Sequence, residues 1–202
     1  MTEIHSNTED KILEAAKKVF IEKGLEGTRM QEIADEARIN KALLHYYYRT
    51  KEKLFAAVFR FALSKFIPRI EEILNAEMPL FEKIELIVNQ YITLLKKNPI
   101  IPIFVLHEIN RHPDRLLEAM TGSGVNPEIF IKQIEKEVSA GNIKPIDSRQ
   151  LIVNILSLCV FPFAAKPLIK GLFFNNNKNL YDEFIESRKK EVSGFIIDAI
   201  KK

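Results

Sequence analysis

Three adjacent tyrosines and a histidine stand among cations in the segment NKALLHYYYRTKEKLF, residues 40–55. Tyrosine and histidine both donate and accept hydrogen bonds, and lysine and arginine bind phosphates. Residues 38–53 contain five cations and one carboxylate, a net charge of +4, whereas the whole chain carries only +3. Positive charge is therefore concentrated beside groups that read bases, which indicates a DNA-contacting surface.

A short helix that begins after Asn40 would divide these residues between two faces. At about 100° per residue, with Leu44 at zero toward the core, Tyr48 lies about 40° away and also faces inward. Ala42 and Tyr46 then lie about 160° and 200° from Leu44, on the outer face. The alternative is a core stripe of tyrosines beside a solvated cationic face. Adjacent residues cannot share one helical face, however, so only Tyr48 is assigned to the core.

The outer face of this helix suits a major groove. Ala42 is small and allows a close approach, His45 and Tyr46 are placed to meet base edges, and Leu43 is placed to meet a thymine methyl group. The shoulders of the helix should reach phosphates, as should the starts of the neighbouring helices. The predicted DNA-binding residues are Thr28, Arg38, Asn40, Lys41, Ala42, Leu43, His45, Tyr46, Tyr47 and Lys51.

Apolar residues recur at intervals of three and four almost everywhere, which predicts an all-α fold. The first helix should span Glu9–Lys23, capped by Asn7 or Thr8 and stopped by Gly24. A second helix should follow Thr28, which stands in capping-box spacing with Gln31. Asn40 should cap a third helix of about seven residues, which completes a helix-turn-helix.

The remaining helices should form a larger bundle. Thr50 should cap a fourth helix over 51–75, kinked at Pro68. The further helices are expected at 79–97, 100–112, 114–120, 127–140, 147–173 and 178–201.

The stretch GTRMQEIADEARINKALLHYYYRTKEKLFAAV, residues 27–58, resembles the DNA-binding domain of the tetracycline-repressor (TetR) family of bacterial transcription regulators. The resemblance implies an N-terminal three-helix helix-turn-helix domain over 1–50 and a larger helical effector-binding and dimerisation domain over 51–202. It also implies that Leu44 and Tyr48 are buried. The counterparts that meet DNA are Thr28, Lys41, Leu43, Tyr46, Tyr47 and Lys51.

The segment departs from the family pattern at two positions. Arg38 stands in the turn where the family commonly has glycine, so a positive φ there would cost about 1 kcal/mol. Leu43 replaces a small or hydroxyl residue, which favours a methyl contact over a hydrogen bond.

The C-terminal part should dimerise through its last two long helices. RQLIVNILSLCVFPFAAKPLI, residues 149–169, is apolar nearly all round, so it needs covering on more than one side. A second copy would cover it, and the two-fold symmetry would match a palindromic site. The alternative is a monomer in which this helix is buried normally.

The sequence also suggests a ligand pocket among the helices of the bundle. Aromatic and polar-tipped residues within otherwise apolar helices suit a small-molecule cavity. Ordinary core packing remains the alternative for each of them. The predicted pocket residues are Tyr91, Phe104, His107 and Phe161.

Several classes of function lack support in the sequence. The chain has no glycine-rich phosphate loop and no catalytic triad spacing, so neither an enzyme nor a cofactor is predicted. His107 and His112 lie about 140° apart on a helix and cannot share a metal. Residues 151–165 are too short a run for a membrane span. A single cysteine, Cys159, suits a reducing cytoplasm.

The expected protein is a ligand-responsive DNA-binding regulator, all-α and cytoplasmic, and we expect it to act as a repressor. Its partners would be a double-stranded palindromic DNA operator, a second copy of itself in a homodimer, and a small apolar or amphipathic effector that releases the operator. The alternative is a DNA-binding adaptor whose C-terminal bundle binds a protein partner.

Overall fold

The computed structural model describes residues 2–64, 67–111, 113–114 and 126–202, without the side chains of residues 2–7, 100, 107–109 and 111. Helices dominate these ranges, and the only extended pairing within them is an isolated bridge between Ile143 and Lys201. The all-α prediction is confirmed. In chain order the described helices are α1 (Thr2–Gly27), α2 (Met30–Glu36), α3 (Lys41–Tyr47), α4 (Lys51–Ser64), α5 (Ile67–Asn75), α6 (Leu80–Lys97), α7 (Ile100–Arg111), α8 (Pro127–Ser139), α9 (Ser148–Ala164), α10 (Lys166–Phe174) and α11 (Lys178–Ile200).

Side-chain caps position the third and fourth helices as the sequence predicts. The Asn40 side-chain oxygen accepts a hydrogen bond from the Leu43 amide at 2.7 Å, and Thr50 Oγ1 accepts one from the Lys53 amide at 3.2 Å. Each cap satisfies an amide that has no partner within its own helix. The entry angles of α3 and α4 therefore follow from local chemistry.

Two predictions at the start of the chain are wrong. The first helix begins at Thr2, not Glu9, and continues past a break at Gly24, whose φ of 68° is left-handed, to Gly27. The Thr28 hydroxyl donates to the Gly24 carbonyl at 2.6 Å and does not cap α2. The cap of α2 is Arg29, whose amide donates to the Glu32 carboxylate at 2.9 Å.

The two longest predicted helices are each divided in the structure. The helix predicted over 51–75 appears as α4 and α5, and Pro68 is the second residue of α5. The helix predicted over 147–173 is wrong as a single element, because α9 and α10 meet at 75° around Ala165. Pro167, which has no amide hydrogen, suits the first turn of α10. The predicted helix at 114–120 falls largely on residues 115–120, outside the described residues.

Two hydrophobic clusters organise the chain. The first joins α1–α4, here called the N-terminal module, to the end of α6 and the start of α7. At this joint the ring of Phe104 stacks on Phe59, with centroids 3.8 Å apart, and contacts Phe55 at 5.1 Å. The second cluster holds together α5, α6 and α8–α11; α5–α11 are here called the C-terminal bundle. Because α4, the end of α6 and the start of α7 all belong to the first cluster, the module and the joint share one hydrophobic core.

A proline inside α9 creates the main polar contact between α9 and α11. Pro162 has no amide hydrogen, so the Leu158 carbonyl one turn earlier has no helical donor. The Arg188 guanidinium donates to this carbonyl at 2.6 Å, and the Tyr181 hydroxyl donates to the Pro162 carbonyl at 2.8 Å. Burial lowers the pKa of Arg188. Both α11 side chains therefore satisfy carbonyls that the bend in α9–α10 exposes.

Candidate DNA-binding surface

The third helix divides its residues between core and solvent as its periodicity predicts. Leu44 is fully buried and Tyr48 is 8% exposed, whereas Tyr46 is 76% exposed. Lys41, Ala42 and Leu43 lie on the same open side, while His45 and Tyr47 are half-buried at its edges. The burial of Leu44 and Tyr48 is thereby confirmed, and the open side remains available to a partner.

Tyr48 anchors the end of the third helix to the first. Its hydroxyl donates to the Glu9 carboxylate at 2.6 Å, across 39 residues of sequence. Burial, assisted by this hydrogen bond, raises the pKa of the phenol. The sequence predicted a buried ring at this position but did not indicate its partner, because a helical wheel contains no information about the neighbouring helix.

Tyr46 and Tyr47 form a perpendicular aromatic pair on the open side. Their ring centroids are 5.6 Å apart at an interplanar angle of 88°. Tyr47 also packs partly against the first hydrophobic cluster. The edge-to-face arrangement supports the Tyr46 ring, most of which stays exposed on this side.

The turn between α2 and α3 contains the backbone conformation that was suspected from the sequence. Arg38 has a φ of 57°, in the left-handed region, and its guanidinium is exposed. A non-glycine residue in this conformation costs about 1 kcal/mol. Arg38 lies just before the third helix, so the residue that carries this conformational cost also places a positive charge at the open surface.

Lys51 occupies a different environment from the one its predicted role implies. Its ammonium donates to the carbonyls of Glu26 at 3.3 Å and Thr28 at 3.2 Å, at the end of α1. Thr28 itself is 3% exposed, and its hydroxyl is already bonded to the Gly24 carbonyl. Lysine commonly satisfies terminal carbonyls in this way. The DNA contacts of Thr28 and Lys51 stay predictions.

Acidic side chains of the module are already paired away from the open surface. Lys18 contacts Glu36 and Lys23 contacts Glu32, each at 2.7 Å, which ties α1 to α2. The hydrogen bond from Lys23 lowers the pKa of Glu32. In the described part of the chain, the cations beside the third helix have no ion-pair partner; they are Arg38, Lys41, Arg49 and Lys53.

The three predicted pocket residues whose side chains are described lie in different environments. Phe104 is 5% exposed and belongs to the joint between module and bundle, whereas Phe161 is 60% exposed. Tyr91 packs against both clusters, and burial raises its pKa to about 12. The side chain of His107 lies outside the described residues. The ligand pocket therefore stays a prediction.

An apolar face extends along α9 and α11. Val153 and Leu156 on α9 and Phe195 on α11 are 55%, 44% and 66% exposed. A groove of about 290 Å³ runs between the two helices beside Phe195. Gly194 leaves open space where a Cβ would stand, so a neighbouring backbone has room to approach closely.

Comparisons with known proteins agree with the geometry of this surface. Residues 12–58, which span α1 to α4, match the family described as "Bacterial regulatory proteins, tetR family". The HTH-type transcriptional repressor NicS of Pseudomonas putida is 26% identical over 188 residues, covering 88% of this chain and 80% of NicS. By this match and by these relatives, the chain is similar to TetR-family transcriptional regulators.

Solved structures of TetR-family and related regulators extend the likeness to the whole fold. The hemolysin II regulator HlyIIR is 27% identical, with a TM-score of 0.64 and coverage of 98% of both chains. The regulator FadR from Bacillus subtilis, solved in complex with stearoyl-CoA, has a TM-score of 0.67 at 18% identity, covering 93% of this chain and 96% of FadR. The likeness to FadR shows the fold alone. NicS, HlyIIR and FadR are all named as transcriptional regulators or repressors.

Metal ligands and membrane-spanning helices are the two remaining features of interest. Among the described residues, no three histidine, cysteine, aspartate or glutamate side chains lie close enough to hold a metal ion. In the same residues no single helix is long and apolar enough to cross a membrane, although α9 and α10 together satisfy the length and composition criteria across their 75° bend.

Proposed function

We propose that this protein is a TetR-family regulator that represses transcription from a palindromic operator and releases it when a small apolar or amphipathic effector binds the C-terminal domain. Residues 1–50 would bind DNA, and residues 51–202 would bind the effector and dimerise. The exposed face of α3, with Tyr46 at its centre and unpaired cations around it, is the observation that carries this proposal. We propose a cytoplasmic protein without enzymatic activity.

On DNA, the open side of α3 would enter the major groove. Tyr46 and His45 would meet base edges, Leu43 would meet a methyl group, and Ala42 would allow the close approach. The phosphates of the DNA would be contacted by Arg38, Asn40, Lys41 and Tyr47, and also by Thr28 and the ammonium of Lys51.

The homodimer would form through the apolar face of α9 and α11. Covering Val153, Leu156 and Phe195 with the same face of a second copy removes exposed apolar surface and yields two-fold symmetry. The two α3 helices would then reach half-sites one helical turn apart. A small-molecule effector is better supported than a protein partner, since FadR shares the fold and binds stearoyl-CoA.

The test starts by selecting a duplex from a random library with the intact protein. Footprinting should then reveal two inverted half-sites whose centres are about 10 base pairs, or a multiple of that, apart. Phe195→Glu should yield a monomer in analytical ultracentrifugation and abolish tight operator binding, while exposed Lys132→Glu should leave both unchanged. A selected site without inverted symmetry, or a monomer that binds as tightly as the native protein, would refute the dimeric repressor.

The effector is tested on the same duplex by fluorescence anisotropy. Stearoyl-CoA serves as the first probe because it occupies a protein of the same fold, and free coenzyme A is its matched control. Release by the acylated form alone would support an amphipathic effector. Release of the operator by a purified protein partner, but by no small molecule, would favour the adaptor instead.

A further inference from the structure

A cleft of about 290 Å³ lies between the N-terminal module and the C-terminal bundle. Glu14 and Lys17 of α1 form one wall, and the C-terminal half of α6 forms the other. Phe61 of α4 contributes apolar surface, and Arg69 of α5 lies at the rim. A ligand in this cleft would therefore touch the module and the bundle simultaneously.

The wall formed by α6 carries three polar side chains that have no partner among the described residues. Gln90, Thr93 and Lys97 stand at helical spacing on one face, with Leu94 among them, whereas the opposite face is buried in the second cluster. In the described part of the chain, the side chains of these three polar residues make no hydrogen bond or ion pair. They present both donors and acceptors to the cleft.

The electrostatic character of the cleft favours an anion. Lys17, Arg69 and Lys97 line it together with one carboxylate, Glu14, and Arg69 is also paired with Glu72 on α5. The Lys17 side chain is only 20% exposed, and its ammonium reaches the Glu14 carboxylate at 3.9 Å, too far for a good hydrogen bond. The long separation leaves donors of the Lys17 ammonium open to a further acceptor.

We propose that this cleft binds a small anion with an apolar body, and that the bound anion ties the module to the bundle. The acidic group would contact Lys17, Lys97 and Arg69, the apolar body would pack on Phe61 and Leu94, and Gln90 and Thr93 would hydrogen-bond the remaining oxygens. The site needs neither the operator nor the effector pocket of the proposed function.

The probe is 1-naphthyl phosphate, an aromatic phosphate ester of a size to fill the cleft, with neutral 1-naphthol as the matched control. Titration calorimetry without DNA should show one site per chain for the phosphate and none for the naphthol. Lys97→Gln and Arg69→Gln should each weaken binding about two- to fivefold, because each removes one partly exposed charge pair. Glu14→Gln should tighten binding by a similar factor, because it removes the only carboxylate among the residues that line the cleft.

A matched surface variant separates this site from general attraction to a basic protein. Lys132→Gln removes an exposed lysine on α8, far from the cleft, and should leave binding unchanged. Equal binding of naphthol, equal losses in Lys132→Gln, or no tightening in Glu14→Gln would each overturn the proposal. Circular dichroism establishes that each variant is folded before it is titrated.

A second measurement tests whether the anion links the two parts of the protein. Because the bound anion ties α1 to α6, saturating naphthyl phosphate should change the operator affinity about threefold or more. The double variant Arg69→Gln/Lys97→Gln should lose this effect and keep its operator affinity. An unchanged operator affinity in the native protein with the cleft occupied would overturn the link, and loss of all operator binding in the variants would instead count against the proposed function.

Discussion

Tyr46 and Tyr48 are separated by one residue but should fail in opposite ways when they are changed. Tyr46 is 76% exposed, and its only described aromatic contact is Tyr47. Tyr48 is 8% exposed and donates to Glu9. We therefore expect Tyr46→Ala to impair DNA binding without impairing folding, and Tyr48→Phe to impair folding without impairing the DNA contact.

The magnitude for Tyr46 follows from its exposure. About a quarter of the side chain is buried, roughly 50 Å² of apolar surface, so its removal should cost the folded state at most about 1 kcal/mol. A base contact is worth about 1–3 kcal/mol, and a dimer makes it twice. The operator dissociation constant should therefore rise at least about thirtyfold, since about 1.4 kcal/mol corresponds to a factor of ten.

The magnitude for Tyr48 comes from its hydroxyl. Tyr48→Phe removes one hydrogen bond to a carboxylate, but Glu9 is exposed and water replaces the donor. A loss of about 1 kcal/mol is expected, which for a chain of this length lowers the unfolding midpoint by about 2–4 °C. Operator affinity measured well below that midpoint should be unchanged.

The assay pairs thermal unfolding by circular dichroism with fluorescence anisotropy on the selected duplex and on a scrambled duplex. Tyr46→Ala should lose affinity for the selected duplex and keep most of its affinity for the scrambled one, because base contacts carry sequence information and phosphate contacts do not. The reasoning fails if Tyr46→Ala retains operator affinity, or if it lowers the unfolding midpoint more than Tyr48→Phe does.

Three further outcomes are expected. Arg38→Gly should raise the free energy of unfolding by about 1 kcal/mol and lessen the salt dependence of DNA binding by about one phosphate contact, as measured by chemical denaturation and salt titration. Arg188→Met should lower the free energy of unfolding by about 1–3 kcal/mol, because it leaves the Leu158 carbonyl without a donor. In a double-mutant cycle the loss should be smaller in the Pro162→Ala background, where a new amide hydrogen serves that carbonyl. Equal losses in the two backgrounds would contradict this account of the α9 bend. Cys159 is fully buried and its pKa is raised to about 12, so iodoacetamide at pH 8 should label it only as fast as the protein opens, whereas rapid labelling of the native protein would show that the site is accessible.

Local sequence signals account for much of the DNA-binding surface. Asn40 and Thr50 cap their helices as predicted, Gly24 interrupts the first helix, and the periodicity around Leu44 separates buried from open residues. These features depend on interactions within a few residues, so spacing and residue type suffice to predict them. The left-handed backbone at Arg38 was likewise expected, as a departure from the family pattern.

Contacts between distant segments could not be predicted in this way. A helical wheel places Tyr48 inward but contains no information about Glu9, and the cationic character of Lys51 does not reveal that the end of α1 supplies its acceptors. Phe104 looked like a pocket residue, yet packing places it against Phe59 at the joint. Each outcome depends on which helices become neighbours.

The sequence by itself determined the class of the protein, the position of its recognition helix and the side of that helix that stays open, because periodicity, capping and local charge are short-range properties. Only the tertiary structure decided the 75° bend between α9 and α10, the contact of Arg188 with the carbonyl that Pro162 leaves free, and the cationic cleft between α1 and α6. These features arise where separate helices pack against one another. Burial of apolar surface drives that packing, and because the hydrophobic effect is non-directional, the arrangement depends on the whole chain and not on local sequence signals.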